Sequence, residues 1–176
     1  YSTMWEYVES TKMVINQLGD VTRVISHSLG GIVAMAASAG NPQVKSLTLI
    51  STPYSLMDVL NIWSGSFMQL KDRIREEILA QLLIDNGVPV SHWDIGLHGK
   101  DWDVPVQVIH DNDDQVVSSK HAARIANVLP LASTQLFDGL GHVRVLSSGD
   151  VHNAILDFFD NEEIPVQQPE HSLEAS

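Results

Sequence analysis

The sequence predicts an α/β protein built on one parallel sheet with flanking helices. Three observations predict it. Strand-like β-branched runs and helix-like periodic segments alternate four times along the chain, the pattern of parallel strands joined by right-handed crossovers. The third strand candidate, residues 104–110, is apolar on both faces, as a parallel strand covered on both sides must be. The length of 176 residues allows one domain, and 44% apolar with 18% charged residues is ordinary globular composition.

The elements follow in order. Met4, Val8, Ile15 and Leu18 fall close to one face of a 3.6-residue period. Thr3 with Glu6 forms a capping box before them, and Gly19 ends the helix. Residues 21–26 form a β-branched run that reads as a strand. The segment Ser26-His27-Ser28-Leu29-Gly30-Gly31 leads into an Ala-rich apolar helix over 32–39, stopped by Gly40-Asn41-Pro42. A second strand covers 44–50. A long insertion then runs from about 54 to 103. Its helix carries the apolar stripe Phe67, Leu70, Ile74, Ile78 and Leu82 opposite Lys71, Asp72, Arg75, Glu76 and Glu77, and stops at Gly87. The third strand is followed by a helix over 118–129, with Pro130 just beyond it. A fourth strand spans 132–137, and a last helix over 148–159 turns Val151, Ile155 and Phe158 inward. The domain is expected to cover 1–160. The tail over 161–176, with Pro165, Pro169 and little apolar content, is expected to be disordered.

Charge and composition exclude several functions. Acidic residues outnumber basic ones 22 to 10, for a net charge of −12. That balance opposes nucleic acid, whose phosphates call for Lys and Arg, and opposes docking on an anionic membrane. No apolar run approaches the ~18 residues of a membrane span. Glu6 and Glu9 near the start are foreign to a signal peptide. There is no cysteine, which removes disulfides, thiol nucleophiles and thiolate metal sites and fits a reducing, cytoplasmic compartment. The oligomeric state is not legible.

Ligands of parallel sheets bind at the carboxyl ends of the strands. The loops after Ile25, Ile50, Ile109 and Phe137 are therefore the candidate site, and three of the four hold catalytic residue types. In the first, Ser28 sits between strand and helix with small neighbours. A tight turn there would lift its Oγ above the sheet and aim the Leu29 N–H at an oxyanion. The third, His110-Asp111-Asn112-Asp113-Asp114-Gln115-Val116-Val117, crowds three carboxylates into four positions, which costs repulsion unless they have partners. Asp114, just before Val116-Val117, is the favoured carboxylate for orienting a histidine. In the fourth, Asp138-Gly139-Leu140-Gly141-His142, glycines flank a histidine that could swing toward the serine as a general base.

These motifs together resemble those of α/β-hydrolase-fold proteins of the serine esterase and lipase kind. Ser26-His27-Ser28-Leu29-Gly30-Gly31 resembles the family's Gly-x-Ser-x-Gly elbow with Ser26 in place of the first glycine. The acid loop's catalytic Asp matches Asp114, and Gly139-Leu140-Gly141-His142 resembles the histidine loop. The order Ser, Asp, His is also the family's. The resemblance extends to about Phe159. It implies that the family's early strands, with the second oxyanion donor, would precede Tyr1. It also implies that the insertion occupies the position of a lid. A carboxylic-ester hydrolase acting on a small-molecule ester through an acyl-enzyme is expected, with Ser28, His142 and Asp114 as triad, Leu29 as oxyanion donor, and no cofactor or metal required.

Trp63 and Phe67, with Met57 and Met68, could line an acyl pocket or simply seal the insertion to the body. His27 reads as packing, because neighbouring side chains on a strand point apart. His110 and Asp111 read as supports of the acid loop. His92, Trp93, His98, Asp101 and Trp102 fit no metal-ligand spacing and read as packing or substrate contact. Two rival functions stay open: thioesterase, perhydrolase or lyase chemistry on the same fold, and a non-catalytic ligand-binding protein. The serine at position 28 disfavours a dehalogenase, which uses a carboxylate nucleophile.

Overall fold

Four parallel strands form one sheet in the order β1-β2-β3-β4, the order in which they occur along the chain. The computed structural model describes residues 3–63, 70–99 and 101–161. The strands are β1 (Arg23–His27), β2 (Ser46–Ile50), β3 (Val106–Asp111) and β4 (Ala132–Phe137). β4 lies where the sequence predicts it; the other three begin two residues later. The register pairs His27 with Ile50, Ile50 with Ile109, and Asp111 with Phe137. The carboxyl ends therefore form one edge, and the loops leaving it are neighbours.

Helix α1 (Met4–Leu18) is capped as its sequence dictates. The Thr3 side chain accepts from the Glu6 N–H, the Glu6 carboxylate accepts from the Thr3 N–H, and Gly19 closes the helix at φ 73°. Met4, Val8 and Ile15 are buried, but Leu18 in the last turn is exposed, contrary to its place on the predicted stripe. Helix α2 (Leu29–Ser38) starts three residues earlier than the Ala-rich run suggests and is buried from Gly31 onward.

Alternation along the strands divides the core in two. Leu47 and Leu49 of β2 and Val106 and Val108 of β3 face α2, with Ile32, Met35, Trp93 and Ile125. Ile50 and Ile109 face the other way, against Val145, Val151 and Ile155. On that face Thr48 donates to the Gln107 side chain, whose amide donates to the Ala154 carbonyl.

Between β2 and β3 lie α3 (Leu56–Trp63), α4 (Asp72–Asn86), a 3-10 turn over Val90–Trp93 and α5 (Ile95–Gly99). Of the predicted stripe, Leu70 precedes α4 and only Ile74, Ile78 and Leu82 lie on it. Its Ile74 is exposed, Ile78 and Leu82 are half-buried, and Asn86 is its one buried residue. Phe67 and Met68 fall outside the described residues. The rings of His92, Trp93, His98 and Trp5 pack together, 4.9–5.3 Å apart in edge and tilted arrangements. After β3 come α6 (Lys120–Ala126), shorter than expected, then β4, a single helical turn α7 (Gly141–Arg144) and α8 (Gly149–Asn161). The tail over 162–176 lies outside the described residues.

Candidate active site

The turn after β1 is strained. Ser28 sits at φ 55°, ψ −132°, a conformation costing of order 1–3 kcal/mol for a residue with a side chain. Its own N–H donates to the Ile50 carbonyl at 2.9 Å, and its carbonyl accepts from Gly31 at 2.9 Å. These bonds anchor the turn from both sides. The close approach falls at Gly31, not Gly30: a Cβ on Gly31 would overlap the Thr52 side chain, whereas one on Gly30 meets nothing within 4 Å. Leu29 is the first residue of α2, so its N–H is one of the helix's free N-terminal donors.

The loop after β3 brings Asp114 under the sheet edge. Asp114 is buried, and its Oδ1 accepts from the Val116 and Val117 N–H groups at 2.8 Å each. Its Oδ2 accepts from His142 Nδ1 at 2.8 Å. Burial alone would raise this carboxyl's pKa. The hydrogen bonds from His142, Val117 and Val116 outweigh it and hold the group below the usual carboxylate range. Ionised, Asp114 can only accept, so Nδ1 of His142 carries the proton and Nε2 presents a lone pair. Nε2 lies 3.1 Å from Ser28 Oγ. Ser28, His142 and Asp114, three residues singled out by the sequence from three separate loops, thus form one hydrogen-bonded chain.

The other acidic residues of the loop also have partners. Asp111 is fully buried and accepts backbone N–H groups through both oxygens, and Asp113 Oδ2 accepts from Gly139 at 2.8 Å. His110 is fully buried; its Nε2–H donates to the Val117 carbonyl at 2.8 Å, and desolvation lowers its pKa. Both residues buttress the loop, as the sequence suggests.

His27 departs from expectation. Its ring lies 4.7 Å from that of His142, and its Nε2–H donates to the His142 carbonyl at 2.8 Å. Strand alternation fails as a guide here because the next residue leaves the extended region at Ser28. Desolvation lowers the pKa of His27, outweighing the hydrogen bond to the His142 carbonyl that would raise it.

Beside Leu29 a cavity of about 740 Å³ opens between α1, α3 and α4, lined by Met4, Leu29, Leu56, Leu60, Trp63 and Leu82. Trp63 lies at its rim, 71% exposed. No helix among the described residues is long and apolar enough to cross a membrane.

No protein-family model matches the sequence, and no curated protein matches it. Solved structures do match the fold. An alpha/beta hydrolase from the metagenome of lagoon sediments at Mar Chica, Morocco, aligns at TM-score 0.67 and 16% identity, over 92% of this chain and 72% of that one. The meta-cleavage product hydrolase of Pseudomonas fluorescens aligns at TM-score 0.65 and 16% identity, over 91% and 72%. A thermophilic esterase aligns at TM-score 0.62 and 20% identity, over 94% and 76%. The chain has the α/β-hydrolase fold and spans about three quarters of the length of these solved chains.

Proposed function

We propose that the protein is a serine hydrolase acting on carboxylic esters through an acyl-enzyme. The observation that carries the reading is the continuous chain Ser28 Oγ–His142 Nε2–His142 Nδ1–Asp114 Oδ2, at 3.1 and 2.8 Å, set on a strained strand-to-helix turn. Solved neighbours described as esterases and hydrolases share the fold, which is in keeping with it.

In this mechanism Ser28 Oγ attacks the ester carbonyl carbon as its proton passes to His142 Nε2. Asp114 holds the imidazole in the Nδ1–H tautomer and stabilises the imidazolium that forms. The carbonyl oxygen becomes an oxyanion facing the Leu29 N–H, aided by the positive end of α2. Collapse breaks the ester C–O bond, and His142 protonates the leaving alcohol. A water molecule, deprotonated by His142, then attacks the acyl carbon and releases the acid and free Ser28. The cavity beside Leu29 suits a small or medium acyl chain, with the insertion over 54–103 acting as a lid and Trp63 at its mouth.

The test is covalent labelling by a fluorophosphonate together with p-nitrophenyl acetate hydrolysis in the complete protein. Both are expected in wild type and both vanish in Ser28→Ala, whose thermal unfolding stays where it was. Labelling that persists in Ser28→Ala moves the nucleophile elsewhere. A folded wild type that neither labels nor hydrolyses favours a ligand-binding role.

A further inference from the structure

We propose that Asp111 is a positioning residue for this chemistry, one buried carboxylate that ties the loop carrying Asp114 to the loop carrying His142. Its kinetic consequence rests on the serine hydrolase reading above.

Asp111 ends β3 and is wholly inaccessible to solvent. A carboxylate buried there is tolerated only if backbone donors surround it. Its Oδ1 accepts from the Asp113 N–H and from the Gly141 N–H, both at 2.9 Å. Asp113 and Gly141 immediately precede Asp114 and His142. A single oxygen atom therefore fixes the backbone one residue upstream of each partner in the 2.8 Å Asp114–His142 contact. Oδ2 accepts from Leu140 at 3.0 Å, and the adjoining Gly139 N–H goes to Asp113 Oδ2 at 2.8 Å.

Three successive N–H groups converge on two carboxylates because the backbone alternates in hand. Gly139 is at φ 77° and Gly141 at φ 67°, on either side of Leu140 at φ −90°, ψ −38°. That alternation turns consecutive N–H groups to one side as an anion-binding concavity, and the two glycines permit it. The carbonyls of the same segment are held from the other side: Arg144 donates to Gly139 O at 2.8 Å and to Leu140 O at 3.0 Å. The histidine loop is thus constrained at the peptides from Gly139 to Gly141. Displacing a reacting group by about 1 Å can cost ~10² in rate, so loosening this clasp acts on turnover and not on substrate affinity.

The experiment compares wild type, Asp111→Asn and Asp111→Ala in the complete protein. Two quantities are read: kcat and KM for p-nitrophenyl acetate, and the downfield ¹H NMR resonance of the His142 Nδ1 proton held by Asp114. Asn keeps one acceptor oxygen but turns an amide toward Leu140. Its kcat is expected to fall about tenfold with KM within about twofold, and the resonance to shift or broaden. Asp111→Ala is expected to lose about 10² in kcat and to lose the resonance; should it fail to fold, the Asn variant decides. A folded Asp111→Asn with unchanged kcat and unchanged resonance overturns the proposal even if its melting temperature drops, because buttressing alone would leave the contact intact. If wild type has no esterase turnover, the hydrolase reading fails with it. The resonance then tests the clasp alone: change in Asp111→Asn supports it and persistence overturns it.

Discussion

The carboxyl edge of the sheet and the insertion between β2 and β3 are held by different forces. At the edge, His110 and Asp111 are fully buried, and directional bonds to backbone groups fix them and Asp114 at 2.8–3.0 Å. The insertion enters the core through Leu56, Val59, Trp93, Ile95 and Trp102, and directional bonds hold it at two places. Near its start the Tyr54 N–H donates to His121 Nδ1, and Asp58 pairs with Arg124 of α6. At the end of α4, Asn86 accepts the Met4 N–H and the Trp5 indole N–H. Between these anchors α4 buries no apolar side chain, and Ile74 and Ile84 are 43% and 73% exposed. Directional bonds leave a reacting group one geometry, whereas an apolar surface with few close neighbours can adapt. The first suits proton transfer and the second suits selection of a substrate by shape.

The sharpest break between the two regions would come from Asp114. Asp114→Asn is expected to lower kcat by ~10⁴, because an amide no longer enforces the Nδ1–H tautomer. Asp113→Asn, one residue away, keeps an oxygen for the Gly139 N–H and should change kcat by only a few-fold. A kinetic comparison that ranks the two in the opposite order would place the orienting carboxylate at 113.

A smaller effect concerns pH. Burial first of all lowers the pKa of His110, so the folded protein takes up this proton only at lower pH than the unfolded chain, which protonates it near 6.5. The unfolded state then binds more protons, and stability is lost as pH falls below about 6.5. Asp114 does not share in this loss, since its carboxyl is held down and its contribution goes only in stronger acid. His110→Leu is expected to be less stable at pH 8 by about 1–3 kcal/mol, for the Val117 carbonyl left unpaired. It should lose less than wild type between pH 8 and 5.5. Urea unfolding at both values checks it, and parallel losses would show that His110 titrates alike in both states.

Much of the edge was legible because its chemistry demands rare residue types at loop positions, and the parallel pattern says which loops meet. β4 lies where its sequence puts it, over 132–137. Less legible was anything decided by a short or strained backbone. α3 and α7 are too short to show a period. His27 reaches His142 only because Ser28 breaks the strand's alternation, and its place before a required positive φ was the available clue. The place of Asp114 before Val116-Val117 favoured it as the partner of a histidine, but nothing in the spacing told how Asp111 and Asp113 would turn to backbone N–H groups; that depends on the hand of Gly139 and Gly141. The stripe reads as an inward apolar face, but on α4 Ile74 is exposed while Arg75 of the opposite face is half-buried, and no apolar side chain of the helix is buried.

The insertion yields the smallest expected effect and the cleanest separation of the regions. If the insertion covers a substrate, its side chains should alter which ester is preferred without altering the proton chemistry beneath. Trp63 suits the test because it lies at the rim of the cavity beside Leu29 while being 71% exposed. Removing so exposed a side chain should change stability by no more than about 0.5 kcal/mol. Trp63→Ala is therefore expected to keep its melting temperature and its acetate turnover. Its preference among p-nitrophenyl esters should shift by several-fold to about tenfold as the acyl chain lengthens, the range that one or two apolar contacts supply. Val59, on the same helix but 3% exposed, is the matched control. Val59→Ala should lower the melting temperature and leave the ester profile flat, because it removes core volume and not a surface the substrate meets. A flat profile in Trp63→Ala would mean that the cavity takes no part in acyl selection, and the insertion would then be a structural cover alone.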